Sequence, residues 1–310
     1  MINLVADPLT GDWVSLADAR QERPLTAPGQ STCPFCPGPS SEVGSPPFHV
    51  AVFPNRYPVF DGPGAAEVVV YSPRHHDDLG YLTPAHARLV WEVWRERSQA
   101  LAARPDVETV FVFENRGRRI GATIDHPHGQ IYGYPYVPPR LAQEHRALHR
   151  ACLLCELEPW ALIIAESPHW QLAVPQAMRM PYQSVLVPRR HLDGLGALSR
   201  EELANGAAML QQAYRGYDHV MGFRASLAMG VHQAARGHLR LECLPIERGQ
   251  MRQKYLAASE LVMGAFVTDI PATVAANRLA AALRAASRPP ACSRDLADLT
   301  DLTDLKEPES

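Results

Sequence analysis

Apolar and polar positions alternate along this chain in an order that occurs twice. Each half shows strand-like stretches of period two, then one amphipathic stretch with apolar residues at helical spacing, then two more strand-like stretches. The strand-like stretches are 48–60, 67–72, 107–117 and 124–133 in the first half, and 169–176, 182–188, 223–233 and 236–245 in the second. The amphipathic stretches are 84–104 and 200–217. The pattern predicts an α+β fold made of two similar units.

Local sequence similarity supports a duplication. The stretches "SPRHHDDLGYLT" and "VPRRHLDGLGALS" both give a proline, an arginine, a histidine, an acid, a glycine and then Thr83 or Ser199, either of which could cap the next helix. We predict one unit over residues 1–145 and a second over 146–290, with antiparallel sheets. The acidic, repetitive segment 291–310 is predicted to be disordered or loosely helical.

Composition removes several classes of function. The chain has 310 residues, a net charge of −3 and 46% hydrophobic residues, which are typical of a globular protein without a general attraction for nucleic acid or anionic membranes. No run of about 20 apolar residues is present, so no membrane span is predicted. The first residues show no signal-peptide pattern, and the expected location is the cytoplasm.

Four of the six cysteines form two C-x-x-C pairs, Cys33 with Cys36 and Cys152 with Cys155. Each pair is followed by histidines at similar distances, which gives two candidate ligand sets: Cys33, Cys36, His75 and His126, and Cys152, Cys155, His191 and His238. Two thiols and two imidazoles suit a closed tetrahedral zinc site of structural type. Ordinary buried thiols and a thiol redox pair are the alternatives.

The choice between His75 and His76 as the zinc ligand stays open at this point. In the repeat alignment, His191 lies three residues after its proline, as His76 does, and this slightly favours His76.

The motif "HPHGQ" at 126–130 carries the candidate chemistry. If His126 points towards a metal, strand alternation places His128 on the same face. An imidazole is a good nucleophile near neutral pH and can attack phosphorus. Gly129 permits close backbone approach, and Gln130 can donate hydrogen bonds without giving up a proton. A histidine that is merely hydrogen-bonded at a strand end is the alternative interpretation.

Several segments together resemble the galactose-1-phosphate uridylyltransferase family, the transferase branch of the histidine-triad superfamily. They are "DPLTGDWV", "CPFC", "FPNRYP", "SPRHHDDL", "FENRGRRIGATIDHPHGQIYGYP" and "QKYLAASEL", in order over residues 7–270. The resemblance implies tandem histidine-triad-like units whose sheets join across the two halves. It also implies that His128 is the nucleophile, that Gln130 holds the nucleotidyl phosphate, and that His75 is the ligand beside Cys33, Cys36 and His126.

The resemblance also implies a reaction. UMP would pass from UDP-glucose to galactose-1-phosphate through a uridylyl-histidine, in galactose metabolism. Hydrolases of the superfamily carry a third histidine where this chain has Gln130, and a neutral amide favours exchange between phosphates, which leave without a strong general acid. Family members are dimers, so a homodimer is expected. The residues implied in substrate binding are Arg20, Arg23, Asn55, Asn115, Gly121, Thr123, Gln130 and, from the neighbouring subunit, Lys254, Tyr255 and Glu260.

The chain also departs from the family. Arg56 stands where some members have aspartate. A second metal site of some members is matched by Glu144 and His232, but its other positions read Arg240 and Glu242, so the second Cys2His2 set fits better. Because His128 aligns with Arg240, which cannot attack phosphorus, we predict one active and one scaffolding half.

Three other functions are kept as alternatives. An ADP-sugar or dinucleoside polyphosphate phosphorylase would use the same histidine chemistry on another nucleotide. A zinc-stabilised binding module is the second alternative, and it would form no covalent adduct. A thiol redox protein is the third, and stoichiometric zinc would exclude it.

Trp91 and Trp94 lie at helical spacing and are predicted to be core residues.

Overall fold

The structure is a computed structural model that describes residues 4–17, 20, 33–39, 41–44, 47–60, 64–148, 151–233, 237–249 and 252–286. Arg23 and the segment 291–310, for which predictions were made above, lie outside the described residues.

One nine-stranded antiparallel sheet runs through both halves of the chain. Its strands are β3 (Ala51–Pro54), β4 (Ala65–Val70), β5 (Thr109–Arg116), β6 (His128–Tyr134), β7 (Ala161–Glu166), β8 (Trp170–Pro175), β9 (Ser184–Pro188), β10 (Leu227–His232) and β11 (Arg240–Pro245). The strand order is β3-β4-β6-β5-β10-β11-β9-β8-β7. Two short hairpins accompany it, β1 (Leu4–Ala6) with β2 (Trp13–Ser15) and β12 (Glu247–Gly249) with β13 (Arg252–Gln253).

The two halves meet where β5 pairs with β10. On either side of this junction the strands follow the same plan, with β6 and β11 in equivalent places. The register repeats as well, since Gln130 lies opposite Val68 and Glu242 lies opposite Val185. The predicted α+β fold, with sheets joined across two similar units, is therefore confirmed. The division of the chain at residues 145 and 146 stays a prediction.

Among the described residues, five α-helices accompany the sheet: α1 (Pro84–Ala102), α2 (Pro139–Leu148), α3 (Arg200–Met221), α4 (Ala258–Met263) and α5 (Ala272–Ala286). The predicted caps are confirmed, because the Thr83 side chain accepts from the His86 backbone N–H and Ser199 forms a reciprocal capping box with Glu202. None of the described helices combines the length and the apolar character that a membrane crossing requires.

The main core lies between one face of the sheet and the helices α1, α3 and α5. Trp91 and Trp94 are fully buried there, as predicted. Strand alternation then places residues such as Phe113 and Gln130, which pair across β5 and β6, on the opposite face. That face, which we call the open face, carries the candidate chemistry.

Candidate functional site

The first Cys/His set comes together at the edge of the first half. Ligand atoms of Cys33, Cys36, His75 and His126 all lie within 4.8 Å of one another. The C-x-x-C segment forms a tight turn, in which the Cys36 N–H donates to the Cys33 carbonyl at 3.3 Å. His126 places Nδ1 3.8 Å from the Cys33 sulfur and 3.5 Å from the Cys36 sulfur. Four donors converge on one point, as a tetrahedral metal site requires.

Hydrogen bonds behind the ligands orient them for a cation. The Nε2 atom of His126 lies 2.7 Å from the Ser72 carbonyl oxygen, which can only accept, so Nε2 carries the hydrogen and Nδ1 faces the sulfurs with its lone pair. Burial, together with the neighbouring Cys33, raises the pKa of the Cys36 thiol to about 11. Without a cation this thiol therefore keeps its proton at neutral pH. A metal ion would bind its thiolate form, and the two sulfurs and two ring nitrogens fit such an ion.

The geometry selects between the two neighbouring histidines. His75 points Nδ1 at the Cys36 sulfur, 3.3 Å away. His76 instead packs its ring edge-on against His75, with 4.8 Å between ring centroids. The repeat alignment, which slightly favoured His76, is thus outweighed by the loop geometry.

The second set is assembled in the same way in the second half. Ligand atoms of Cys152, Cys155, His191 and His238 also lie within 4.8 Å of one another. His238 mirrors His126, because its Nε2 faces the Pro188 carbonyl at 3.2 Å while its Nδ1 lies 3.2 Å from the Cys152 sulfur. The two clusters occupy equivalent places in the two units, and both could hold a metal ion.

His128 begins β6, two residues after the candidate ligand His126. Its Nδ1 lies 2.8 Å from the His126 carbonyl oxygen. Since a carbonyl only accepts, Nδ1 must donate, and the lone pair of the neutral ring then lies on Nε2. The ring of Phe35, from the first C-x-x-C turn, packs edge-on against His128 at 5.0 Å. One carbonyl and one aromatic ring thus fix both the tautomer and the orientation of this imidazole.

Gln130 follows on the same face, and its amide is held in one orientation. Its Oε1 accepts from the Asn55 side-chain amide at 3.0 Å and from the Tyr132 hydroxyl at 3.1 Å. With the oxygen engaged by two donors, the amide NH2 group is available as a donor towards an anion. Tyr132 was not among the predicted site residues, although its alternation with Gln130 along β6 is a signal that could have found it.

Gly129 separates these two side chains and faces the helices. A Cβ atom there would overlap the Tyr71 hydroxyl and lie 2.9 Å from the Phe113 carbonyl oxygen. Glycine is therefore required by space at this position, which explains the residue between His128 and Gln130.

Four residues predicted to bind the substrate lie at different places around His128. Asn115 lines a small hollow together with His128. Gly121 ends a 3-10 turn with φ of +87° and is exposed, and Thr123 is half-buried in the loop that leads to His126. Arg20 donates to the Tyr57 carbonyl at 3.4 Å, which places it beside the loop that carries Asn55.

Lys254 and Glu260 form a pair of their own. The Lys254 ammonium lies 2.9 Å from Glu260 Oε1 and also donates to the Val267 carbonyl, and both charged side chains are buried. Tyr255, between them, is 73% exposed. Within one chain this pair shapes the segment from 254 to 267, while Tyr255 projects from it.

Four residues occupy the positions of a metal site that some family members have: Glu144, His232, Arg240 and Glu242. In this chain they belong to a network of ion pairs. Arg240 donates to Glu144 at 2.7 Å and contacts His232 Nδ1 at 3.1 Å. Arg140 bridges the two carboxylates, 3.0 Å from Glu144 and 2.7 Å from Glu242. Burial alone would raise the pKa of both carboxyls, but His232 and the arginines outweigh it and hold them well below the usual range. Guanidinium groups therefore neutralise these carboxylates.

Comparisons with known proteins agree with this geometry. Residues 54–138 match the family model described as galactose-1-phosphate uridyl transferase, N-terminal domain. The galactose-1-phosphate uridylyltransferase of Thermotoga maritima is 30% identical over 90% of this chain and 98% of that protein. That of Streptomyces lividans is 34% identical over 76% of this chain and 71% of that protein.

Solved structures show the same relationship. A uridylyltransferase structure superposes with a TM-score of 0.83 and 29% identity over 92% of this chain and 99% of that one. The ADP-glucose phosphorylase of Arabidopsis thaliana, solved with ADP-glucose, shares the fold with a TM-score of 0.72 at 21% identity, over 90% of this chain and 99% of that one. The chain belongs to the galactose-1-phosphate uridylyltransferase family.

Proposed function

We propose that this protein transfers UMP between UDP-glucose and galactose-1-phosphate, by a ping-pong mechanism through a uridylyl-histidine at His128. The observation that carries the proposal is the hydrogen bond from His128 Nδ1 to the His126 carbonyl, beside an amide at Gln130 whose oxygen is already engaged. A nucleophilic lone pair on Nε2 and an oriented N–H donor then lie two residues apart on one strand.

In the first half-reaction, Nε2 of His128 attacks the α-phosphorus of UDP-glucose. The bond to the bridging oxygen breaks, and glucose-1-phosphate leaves with the bonding electrons. Because this leaving group is a phosphate, it departs without a proton donor, and Gln130 only needs to stabilise the charge on the nonbridging oxygens. A phosphate oxygen of galactose-1-phosphate then attacks the adduct, forms UDP-galactose and returns the His128 ring.

Zinc is the metal that we assign to both Cys/His clusters, because two thiolates and two imidazoles suit its tetrahedral preference. When bound, it would supply a structural crosslink rather than an open coordination position. His126 then serves as a ligand through its ring and as an acceptor for His128 through its carbonyl, so the metal site and the nucleophile share one residue.

Binding of the nucleotide and sugar phosphate is assigned to residues around His128. Asn55, Asn115, Gly121 and Thr123 come from the same half, and the sequence resemblance to the family implies Arg20 and Arg23 in this role. In a homodimer, Lys254, Tyr255 and Glu260 of one subunit would approach the site of the other. The 73% exposure of Tyr255 in the single chain supports this arrangement.

The test is intact-protein mass spectrometry after incubation with UDP-glucose and, separately, ADP-glucose. We expect one uridylyl group per chain with UDP-glucose, and none in His128→Gly. The matched control His219→Asn, an exposed histidine at the end of α3, should label normally. A His128→Gly chain that still labels would refute the nucleophile assignment.

The same samples decide the base specificity. The Arabidopsis ADP-glucose phosphorylase is 26% identical over 60% of this chain, so an adenylyl adduct from ADP-glucose is the specific alternative outcome. Isotope exchange between glucose-1-phosphate and UDP-glucose without galactose-1-phosphate checks the ping-pong order, because only a covalent intermediate permits it.

A further inference from the structure

The second half carries a cleft of about 520 Å³ over its own part of the sheet. Arg240 and Glu242 of β11 line it, together with Arg140 of α2 and Arg179. Its volume lies in the range of sites that bind small metabolites, about 300–1,000 Å³. No residue of this cleft takes part in the reaction proposed for His128.

We propose that this cleft is a second nucleotide site, which binds a nucleoside phosphate without reacting with it. The proposal rests on the function proposed above in one respect, since it assumes that the equivalent surface around His128 also receives a nucleotide.

The charges of the cleft favour a phosphate. Three guanidiniums, on Arg140, Arg179 and Arg240, meet two carboxylates, on Glu144 and Glu242, so the cluster has an excess of positive charge. The side chains of Arg140 and Arg179 are 40% and 29% exposed, so both present N–H groups to the cleft. Arginine binds phosphate oxygens with paired hydrogen bonds, and a phosphate would neutralise the excess.

The apolar part of the cleft lining favours a planar organic group. It includes Leu148, Leu154, Val185 and the indole of Trp160. The indole N–H donates to the Leu153 carbonyl at 2.7 Å, which fixes the orientation of the ring. A base or ribose against these apolar residues, with its phosphate on Arg140 and Arg179, would contact both the apolar and the charged residues of the cleft.

The duplication explains why binding would not lead to transfer. Glu242 lies opposite Val185 as Gln130 lies opposite Val68, so the cleft lies over the position that corresponds to the His128 site. At the position of His128 itself the second half has Arg240, whose guanidinium stays protonated and cannot attack phosphorus. The site would therefore hold its ligand non-covalently.

Equilibrium dialysis of the zinc-loaded full chain against radiolabelled UMP tests the proposal. We expect two UMP molecules per chain. Arg179→Gln should weaken one of the two sites by about tenfold or more, as expected for loss of one charge-assisted contact, and Arg140→Gln should do the same. The control Arg189→Gln removes an exposed, ion-paired arginine outside the cleft and should bind like the wild type.

Covalent labelling from UDP-glucose is measured on the same variants and should not change in Arg179→Gln. If the function proposed for His128 fails, labelling is absent while UMP binding still responds to Arg179→Gln. A UMP isotherm that neither Arg179→Gln nor Arg140→Gln alters would overturn the cleft proposal. Displacement of the arginine-dependent UMP by an equal concentration of inorganic phosphate would overturn its assignment to a nucleotide.

Discussion

Replacing Glu114 by glutamine should make the stability of this protein less sensitive to pH between about 4.5 and 8. Glu114 lies on the helix side of β5, is 4% exposed and accepts a hydrogen bond from the Tyr214 hydroxyl at 3.2 Å. Burial first, and the nearby Asp78 second, raise its pKa from the ordinary 4.5 to about 8, although Arg116 opposes the shift. The carboxyl is therefore protonated in the folded protein at neutral pH.

The sign of the effect follows from proton linkage. Between pH 4.5 and 8 the folded state retains a proton that the unfolded state has lost, so the free energy of unfolding falls as pH rises through this window. At about 1.36 kcal/mol per pH unit, the full loss is roughly 5 kcal/mol, complete above pH 8. Glutamine keeps an acceptor for Tyr214 but has no proton to lose, so Glu114→Gln should remove this loss.

Urea unfolding of wild type and Glu114→Gln at pH 5, 7 and 9 measures the difference. We expect the variant to gain little at pH 5, roughly 3 kcal/mol at pH 7 and more at pH 9. The exposed Glu201→Gln should follow the wild type at every pH. If Glu114→Gln and wild type give parallel curves from pH 5 to 9, Glu114 is ionised in the fold and the reasoning is refuted.

Two further predictions concern Gly129 in β6 and the two Cys/His clusters. Gly129→Ala should slow the labelling of His128 and destabilise the fold by about 1–3 kcal/mol, since the new methyl group overlaps the Tyr71 hydroxyl. Adding Tyr71→Phe to this variant should restore part of the labelling rate and part of the stability. If neither recovers, the overlap with the Tyr71 hydroxyl is not the cause. Elemental analysis should find two zinc ions per chain and about one after Cys36→Ser or Cys155→Ser, whereas Cys243→Ala, outside both clusters, should keep two; unchanged zinc in the first two would refute the ligand assignments.

Periodicity and local spacing predicted much of this structure because both signals are local. The helix period predicted α1 and α3, and the residues Thr83 and Ser199 predicted where they begin. The two C-x-x-C pairs, with histidines at matching distances, predicted both clusters. The ligands of each cluster are far apart in the chain, 93 residues for Cys33 and His126 and 86 for Cys152 and His238, but the recurrence of the same spacing in both halves indicated which residues meet.

Other features depend on residues far apart in the chain and could not be predicted. Gln130 is oriented by Asn55, which precedes it by 75 residues. Arg240 meets Glu144 across 96 residues. The helices α2 and α5 were also not anticipated, and α5 packs on α3, on the edge strand β7 and on its neighbour β8. Single-sequence patterns do not encode which distant partners meet, because many pairings satisfy the same local periodicity.

The recurrence of the Cys/His cluster bears on what a bound metal ion would do. In the first half, His126 faces two sulfurs with its ring and holds His128 with its carbonyl, so one residue links the cluster to the candidate nucleophile. In the second half, His238 faces its sulfurs in the same way, yet the residue two positions later is Arg240. A cluster that served the chemical step directly would have no reason to persist beside a guanidinium. We infer that a metal ion in each cluster would fix the start of a strand, β6 or β11, and that the side chain two positions after the cluster histidine decides whether the open face reacts.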